Sequence, residues 1–133
     1  MNRYLLDTNH LSAYLDRDAS VEQKVDDRLR AGDRVGLCLP VLCEYRAGIR
    51  LGRRYQRNLS RLNAALGILR LWPIDEETAT EFAELFRELR AVGRVMSQFD
   101  LLIAAVARQR KLILLTADRD FRPVTGIQIE NWL

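Results

Sequence analysis

Short apolar runs separated by stretches of helical periodicity constrain this chain more than any other feature. Tyr4-Leu5-Leu6, Val35-Gly36-Leu37-Cys38-Leu39 and Leu112-Ile113-Leu114-Leu115 are apolar without alternation, the pattern of strands covered on both faces. Leu71-Trp72-Pro73-Ile74 reads as a short strand at a sheet edge, where proline is tolerated, and Ile127, Ile129 and Trp132 suggest a last edge strand. Between the runs the spacing turns helical. Leu11, Tyr14 and Leu15 follow the first strand, and Val21 to Arg30 predicts a short surface helix. Pro40 suits the first turn of a helix running through Glu44 towards Leu51. Tyr55 to Leu69 carries Leu59, Leu62, Leu66 and Leu69 on one face, and from Asp75 a helix carries Phe82, Leu85, Phe86 and Leu89. Asp100 to Arg108 is apolar nearly all round, so that helix belongs in the core. Strands alternating with helices predict an α/β fold, a three-layer α/β/α sandwich with a mainly parallel central sheet. With no internal repeat and no boundary in sight, residues 1–133 are read as a single domain.

Composition narrows the chemistry. No apolar run is long enough to span a membrane, and the N-terminus has no extended apolar region of a signal peptide, so a cytoplasmic protein without membrane contact is expected. Cys38 and Cys43 are too few for a disulfide scaffold or zinc ribbon and are read as buried thiols of a reducing compartment. His10 is the only histidine, which excludes histidine-rich metal sites and weakens Ser/His or Cys/His hydrolase schemes. The net charge is +3, but from Tyr45 to Ile74 there are seven arginines and no acid. Arginine presents a planar fork to phosphate and stacks on bases, so the cluster favours a polyanionic partner over a merely solvated face. Arg50, Arg54, Arg57 and Arg61 share one side if the two helical segments around Gly52 are nearly continuous.

Four carboxylates stand apart from the surface charges. Asp7 ends the first strand, Glu44 lies mid-helix among small and apolar residues, Asp100 opens the apolar helix, and Asp118 follows the Leu112–Leu115 strand. Strand ends and helix starts of a parallel sheet gather at one edge, where open α/β sheets bind their ligands. Each acid also has a structural explanation. Asp7 suits an N-cap, Asp100 with Ser97 has the spacing of a capping box, and Asp118 suits either an ordinary turn aspartate or the cap of a short helix. Glu44 on a packed face needs a positive partner, which an arginine could supply. One divalent cation would serve all four. Oxygen-only donors suit Mg²⁺ or Mn²⁺ rather than zinc. Such clusters support two-metal phosphoryl chemistry, with ions roughly 3.5–4 Å apart activating water for in-line attack and stabilising the leaving oxygen.

Leu6-Asp7-Thr8-Asn9, Val41-Leu42-Cys43-Glu44-Tyr45-Arg46-Ala47-Gly48, Asp100-Leu101-Leu102-Ile103-Ala104-Ala105 and Thr116-Ala117-Asp118-Arg119-Asp120-Phe121 together resemble PIN-domain nucleases. The nearest resemblance is to the VapC toxins of bacterial type II toxin–antitoxin systems, over nearly the whole chain. It implies a Mg²⁺- or Mn²⁺-dependent endoribonuclease that halts translation, with metal-ligand roles for Asp7, Glu44, Asp100 and Asp118. Thr8 or Asn9 would support the first carboxylate and Thr116 the last, while Asp118 and Asp120 both offer themselves as the fourth acid. It further implies a homodimer silenced by a small VapB-like antitoxin, which alone would contact operator DNA. Arg46, Arg50, Arg54, Arg57 and Arg61 are the expected RNA-binding residues. Many relatives have a small polar or acidic residue before the third acid, where this chain has Gln98-Phe99. Two other classes compete: a receiver-like domain phosphorylated on one aspartate, and a non-catalytic RNA- or protein-binding module whose acids are only caps. The receiver reading lacks a lysine after the Leu112–Leu115 strand, since Lys111 precedes it.

Overall fold

The computed structural model describes all residues, Met1–Leu133. Five strands form one sheet: β1 (Arg3–Leu6), β2 (Arg34–Cys38), β3 (Arg70–Trp72), β4 (Ile113–Leu115) and β5 (Gln128–Glu130). Their order is β3-β2-β1-β4-β5, and every neighbouring pair is parallel. Six helices flank the sheet: α1 (Thr8–Leu15), α2 (Ala19–Arg30), α3 (Leu39–Arg50), α4 (Tyr55–Leu66), α5 (Glu76–Ala91) and α6 (Gln98–Arg110). The edge positions of β3 and β5 and the parallel sheet agree with the sequence reading.

A core of 33 buried residues runs through both sheet faces. Leu5, Leu6, Leu37, Leu114 and Leu115 are fully enclosed, as unalternating strands require. On α6, Leu101 and the run Ile103 to Ala107 are buried, so this helix is indeed part of the core. Gly36 has a specific task. A Cβ there would collide with the Arg70 carbonyl oxygen and approach the Trp72 indole nitrogen to 2.7 Å. The bare backbone lets Trp72 of β3 reach across β2 and donate its indole N–H to the Tyr4 carbonyl of β1 at 2.9 Å. Three strands are thereby tied by one side chain.

Several expectations need correction. Cys38 is buried, and burial pushes its thiol up to about 12, but Cys43 is exposed on α3. The α2 helix is the expected surface helix, and its inner stripe buries Val21 and Val25 fully. Phe86 is 47% exposed, so the inner face of α5 consists of Leu85 and Leu89 with Phe82 half-buried. The second strand ends at Cys38, since Leu39 already belongs to α3 ahead of Pro40. The fourth helix ends at Leu66, and Leu69 enters the core from the approach to β3. No helix is long and apolar enough to cross a membrane.

Candidate metal centre

The strand order reverses between β1 and β4, and the crevice at the carboxyl ends of these two strands is the binding position of an open parallel sheet. Asp7 immediately follows β1, and its backbone N–H donates to the Leu115 carbonyl of β4 at 3.1 Å. Its carboxylate caps α1, accepting the His10 backbone N–H at 2.8 Å. The cap expected from sequence is therefore real, yet it occupies only Oδ1. Asp118 lies just beyond β4; its N–H donates to the Thr116 hydroxyl at 3.0 Å and its Oδ1 accepts the Asp120 N–H at 2.8 Å. Thr116 thus holds the backbone of Asp118, while the carboxylate is held by the Asp120 N–H.

Asp100 sits in the first turn of α6, its N–H donating to the Ser97 hydroxyl at 3.2 Å. This is half of a capping box: the carboxylate makes no return bond to the Ser97 backbone and faces the cavity instead. Burial raises the Asp100 carboxyl above the ordinary aspartate value, the Ser97 hydroxyl opposes that rise, and the charges of Asp118, Glu44 and Asp120 add to it. Glu44 departs from expectation. It lies on the exposed side of α3 rather than on a packed face, and its Oε1 accepts the Thr8 hydroxyl at 2.8 Å. Thr8 therefore supports the second carboxylate, not the first.

Asp7, Glu44, Asp100 and Asp118 line one cavity of about 290 Å³. Thr8 and Asn9 complete its polar wall, with Ile103 and Phe121 as the apolar part. Carboxylate oxygens of Asp100, Asp118 and Asp120 all lie within 4.8 Å of one another. So both aspartates of the 118–120 turn approach Asp100, and Asp118 is the one that lines the cavity. No arginine or lysine lines it or pairs with any of these five acids. Like charges at this separation repel one another, and a bound cation would relieve that repulsion. All-oxygen donors at a partly open cavity fit a hard divalent ion. Asp7, Glu44, Asp100 and the 118–120 turn come from four separate segments of the chain, so packing of the whole sheet holds the cluster.

The arginines lie elsewhere. The turn between Leu51 and Arg54 separates α3 from α4, and the two helices pack on each other, so the continuous stripe is split. Arg46 is exposed, Arg50 stacks over the Tyr55 ring at 4.8 Å, and Arg57 reaches the Asn58 side chain at 3.3 Å. Arg61 is half-buried and donates to the Leu15 carbonyl at 3.3 Å, a tie between α4 and α1. Sequence reasoning missed His10, treated only as evidence against other chemistries. It is fully buried, with Nδ1 2.9 Å from Asp7 Oδ1. Its position three residues after a capping aspartate, on the inner face of α1, was the available signal.

The PIN domain family model matches residues 4–127. This chain belongs to the PIN-domain family. Among relatives of this PIN domain, ribonuclease VapC5 of Mycobacterium tuberculosis is 32% identical over 96 residues, 71% of each chain. That likeness places the domain among the VapC ribonucleases. The tRNA(fMet)-specific endonuclease VapC of Shigella flexneri is 29% identical over 134 residues, 99% of each chain. The crystal structure of VapBC-5, a member of the VapBC family of toxin-antitoxin systems from M. tuberculosis, matches with a TM-score of 0.70 at 28% identity over 98% of both chains. The structure of VapBC2 from Rickettsia felis bound to a promoter DNA fragment matches with a TM-score of 0.90 over 98% of this chain and 99% of that one, and at 23% identity it speaks for the fold.

Proposed function

We propose that this PIN domain, spanning 1–133 as one unit, is the toxin of a type II toxin–antitoxin pair. It hydrolyses RNA phosphodiester bonds using Mg²⁺ or Mn²⁺ held by Asp7, Glu44, Asp100 and Asp118. The observation that carries the reading is the convergence of four carboxylates from four separate segments on one cavity without a cationic side chain. Bound there, such an ion supplies Lewis acidity and a more readily deprotonated water. The chain's own residues then have separate tasks. Asp7 keeps Oδ1 in its capping bonds and offers Oδ2. Thr8 holds Glu44, and Thr116 with the Asp120 N–H holds Asp118, so these carboxylates are oriented before a ligand arrives. Ile103 and Phe121 limit water on the inner wall.

Arg46, Arg50, Arg54 and Arg57 are proposed to take the RNA backbone outside the cavity, while Arg61 is the least available of the expected five. The partner proposed is a VapB-like antitoxin, on the strength of the M. tuberculosis toxin–antitoxin structure. In that arrangement the protein is a homodimer that reaches operator DNA only through the antitoxin. The name of the Shigella relative makes tRNA the first substrate to test. The experiment is incubation of purified protein with tRNA and mRNA in Mg²⁺ or Mn²⁺, beside Asp7→Asn and Asp100→Asn. The parent should cut, chelation should stop it, and each variant should slow by roughly a hundredfold or more, the scale of losing one electrostatic stabiliser. Cleavage by either variant at the parent rate would remove the assignment.

A further inference from the structure

His10 stands at the third position of α1, fully buried beneath the acid cavity. Its backbone N–H and its ring Nδ1 both lie within hydrogen-bond distance of Asp7 Oδ1, at 2.8 and 2.9 Å. On the other side of the ring, Nε2 receives the backbone N–H of Trp132 at 3.0 Å. A backbone N–H can only donate, so Nε2 must hold its lone pair. The ring is then neutral, its single proton is on Nδ1, and that proton is given to Asp7. The tautomer is thus chosen by a residue 122 positions away in sequence.

Trp132 is itself anchored. Its ring packs on Tyr4 of β1 with centroids 5.0 Å apart, and its carbonyl accepts the Ser20 hydroxyl of α2 at 3.0 Å. The ring of His10 is therefore a strut between a fixed backbone and the carboxylate. Two donors on the same oxygen stop the carboxylate from exchanging its oxygens by rotation. Asp7 Oδ2 makes no hydrogen bond, and no buried side-chain polar atom of the chain lacks a partner, so Oδ2 opens on the cavity that Asp7 lines. A neutral donor does this without cancelling the carboxylate's charge, as an arginine or lysine in the same place would.

We propose that His10 is a positioning residue for the metal centre, holding Asp7 with Oδ1 engaged and Oδ2 directed to the cation. The inference rests on the metal-site reading above. Donors that orient a ligating group typically govern about 10–100-fold of metal affinity.

The test is calorimetric titration of Mn²⁺ into the full chain, comparing the parent with His10→Asn and His10→Gln. The Asn amide nitrogen takes the place of Nδ1 and keeps the donor to Asp7 but does not reach Trp132. The Gln amide reaches Trp132 and accepts its N–H, leaving Oδ1 with the backbone donor alone. His10→Gln should weaken Mn²⁺ binding by about tenfold or more at unchanged stoichiometry. His10→Asn should stay near the parent affinity while melting at a lower temperature than His10→Gln. Parental affinity in His10→Gln, or affinities that follow the melting order with Asn weakest, would overturn the proposal. If His10→Gln does not fold, His10→Asn decides: parental affinity supports the donor role and a tenfold loss overturns it. A folded parent that binds no Mn²⁺ would instead remove the metal-site reading itself.

Discussion

At the residue scale, Asp100 combines its proposed ligand role with a cost to the metal-free fold. Burial first, and then the neighbouring negative charges, raise its carboxyl above the ordinary aspartate value. In the metal-free protein the native state therefore binds more protons than the unfolded state between that ordinary value and the raised one. The contribution of Asp100 to stability is full below the ordinary aspartate value and is lost as pH rises through the raised one. At neutral pH, Asp100→Asn should melt at a higher temperature than the parent without metal, and the gap should close as pH falls into the aspartate range. Mn²⁺ should raise the parent's melting temperature and leave that of the variant unchanged, because only a ligand bound by the native state stabilises it. Thermal scans across pH, with and without Mn²⁺, check both halves. A metal-free variant no more stable than the parent at neutral pH would contradict the crowding of charge around Asp100.

Among the elements, the strand ends do the positioning, and local pattern read most of them well. Tyr4–Leu6, the apolar α6 and the edge strands were legible because strand burial and helix periodicity are local properties of the chain. Other features depended on neighbours. Phe86 fits the helical spacing of Phe82 and Leu89, but the partners of α5 cover only part of that stripe. Cys43 looks apolar in context, yet α3 turns it outward next to Glu44. Gly36 gave no signal within its strand, since what it makes room for is a side chain of β3. Gly36→Ala should cost about 1–3 kcal/mol by overpacking between β2 and β3. Urea unfolding should show this as a lower midpoint at unchanged slope, with the Trp72 fluorescence altered in the native baseline. An unchanged midpoint would mean that Trp72 and Arg70 move aside freely.

For the whole molecule, the division of charge is the functional point. The acids concentrate in one cavity, and the arginines of α3 and α4 lie outside it. Substrate binding and metal binding should therefore separate. Arg54→Glu with Arg57→Glu should weaken RNA binding and flatten its salt dependence, by roughly one unit of log–log slope for each phosphate no longer neutralised. The Mn²⁺ affinity should not change. Filter binding over a salt series, beside calorimetry, tests the pair; parental RNA affinity would place the substrate on another face.

Residue types and their periods, by themselves, determined the α/β class, the parallel sheet, the strand-end position of Asp7 and the set of acids available for one edge. Those are properties of segments, readable because burial on both faces or on one stripe leaves a local imprint. What only the tertiary structure decided is which groups meet. The jump from β3 across to β4 sets Asp7 beside Leu115 and brings the 118–120 turn to Asp100. Strand order also sends Thr8 to Glu44 rather than to Asp7, splits the arginine stripe at the turn after α3, and seats Trp132 against His10. Contacts between residues 36 or 122 positions apart leave no period in either segment, because the energy that selects them belongs to the packed sheet.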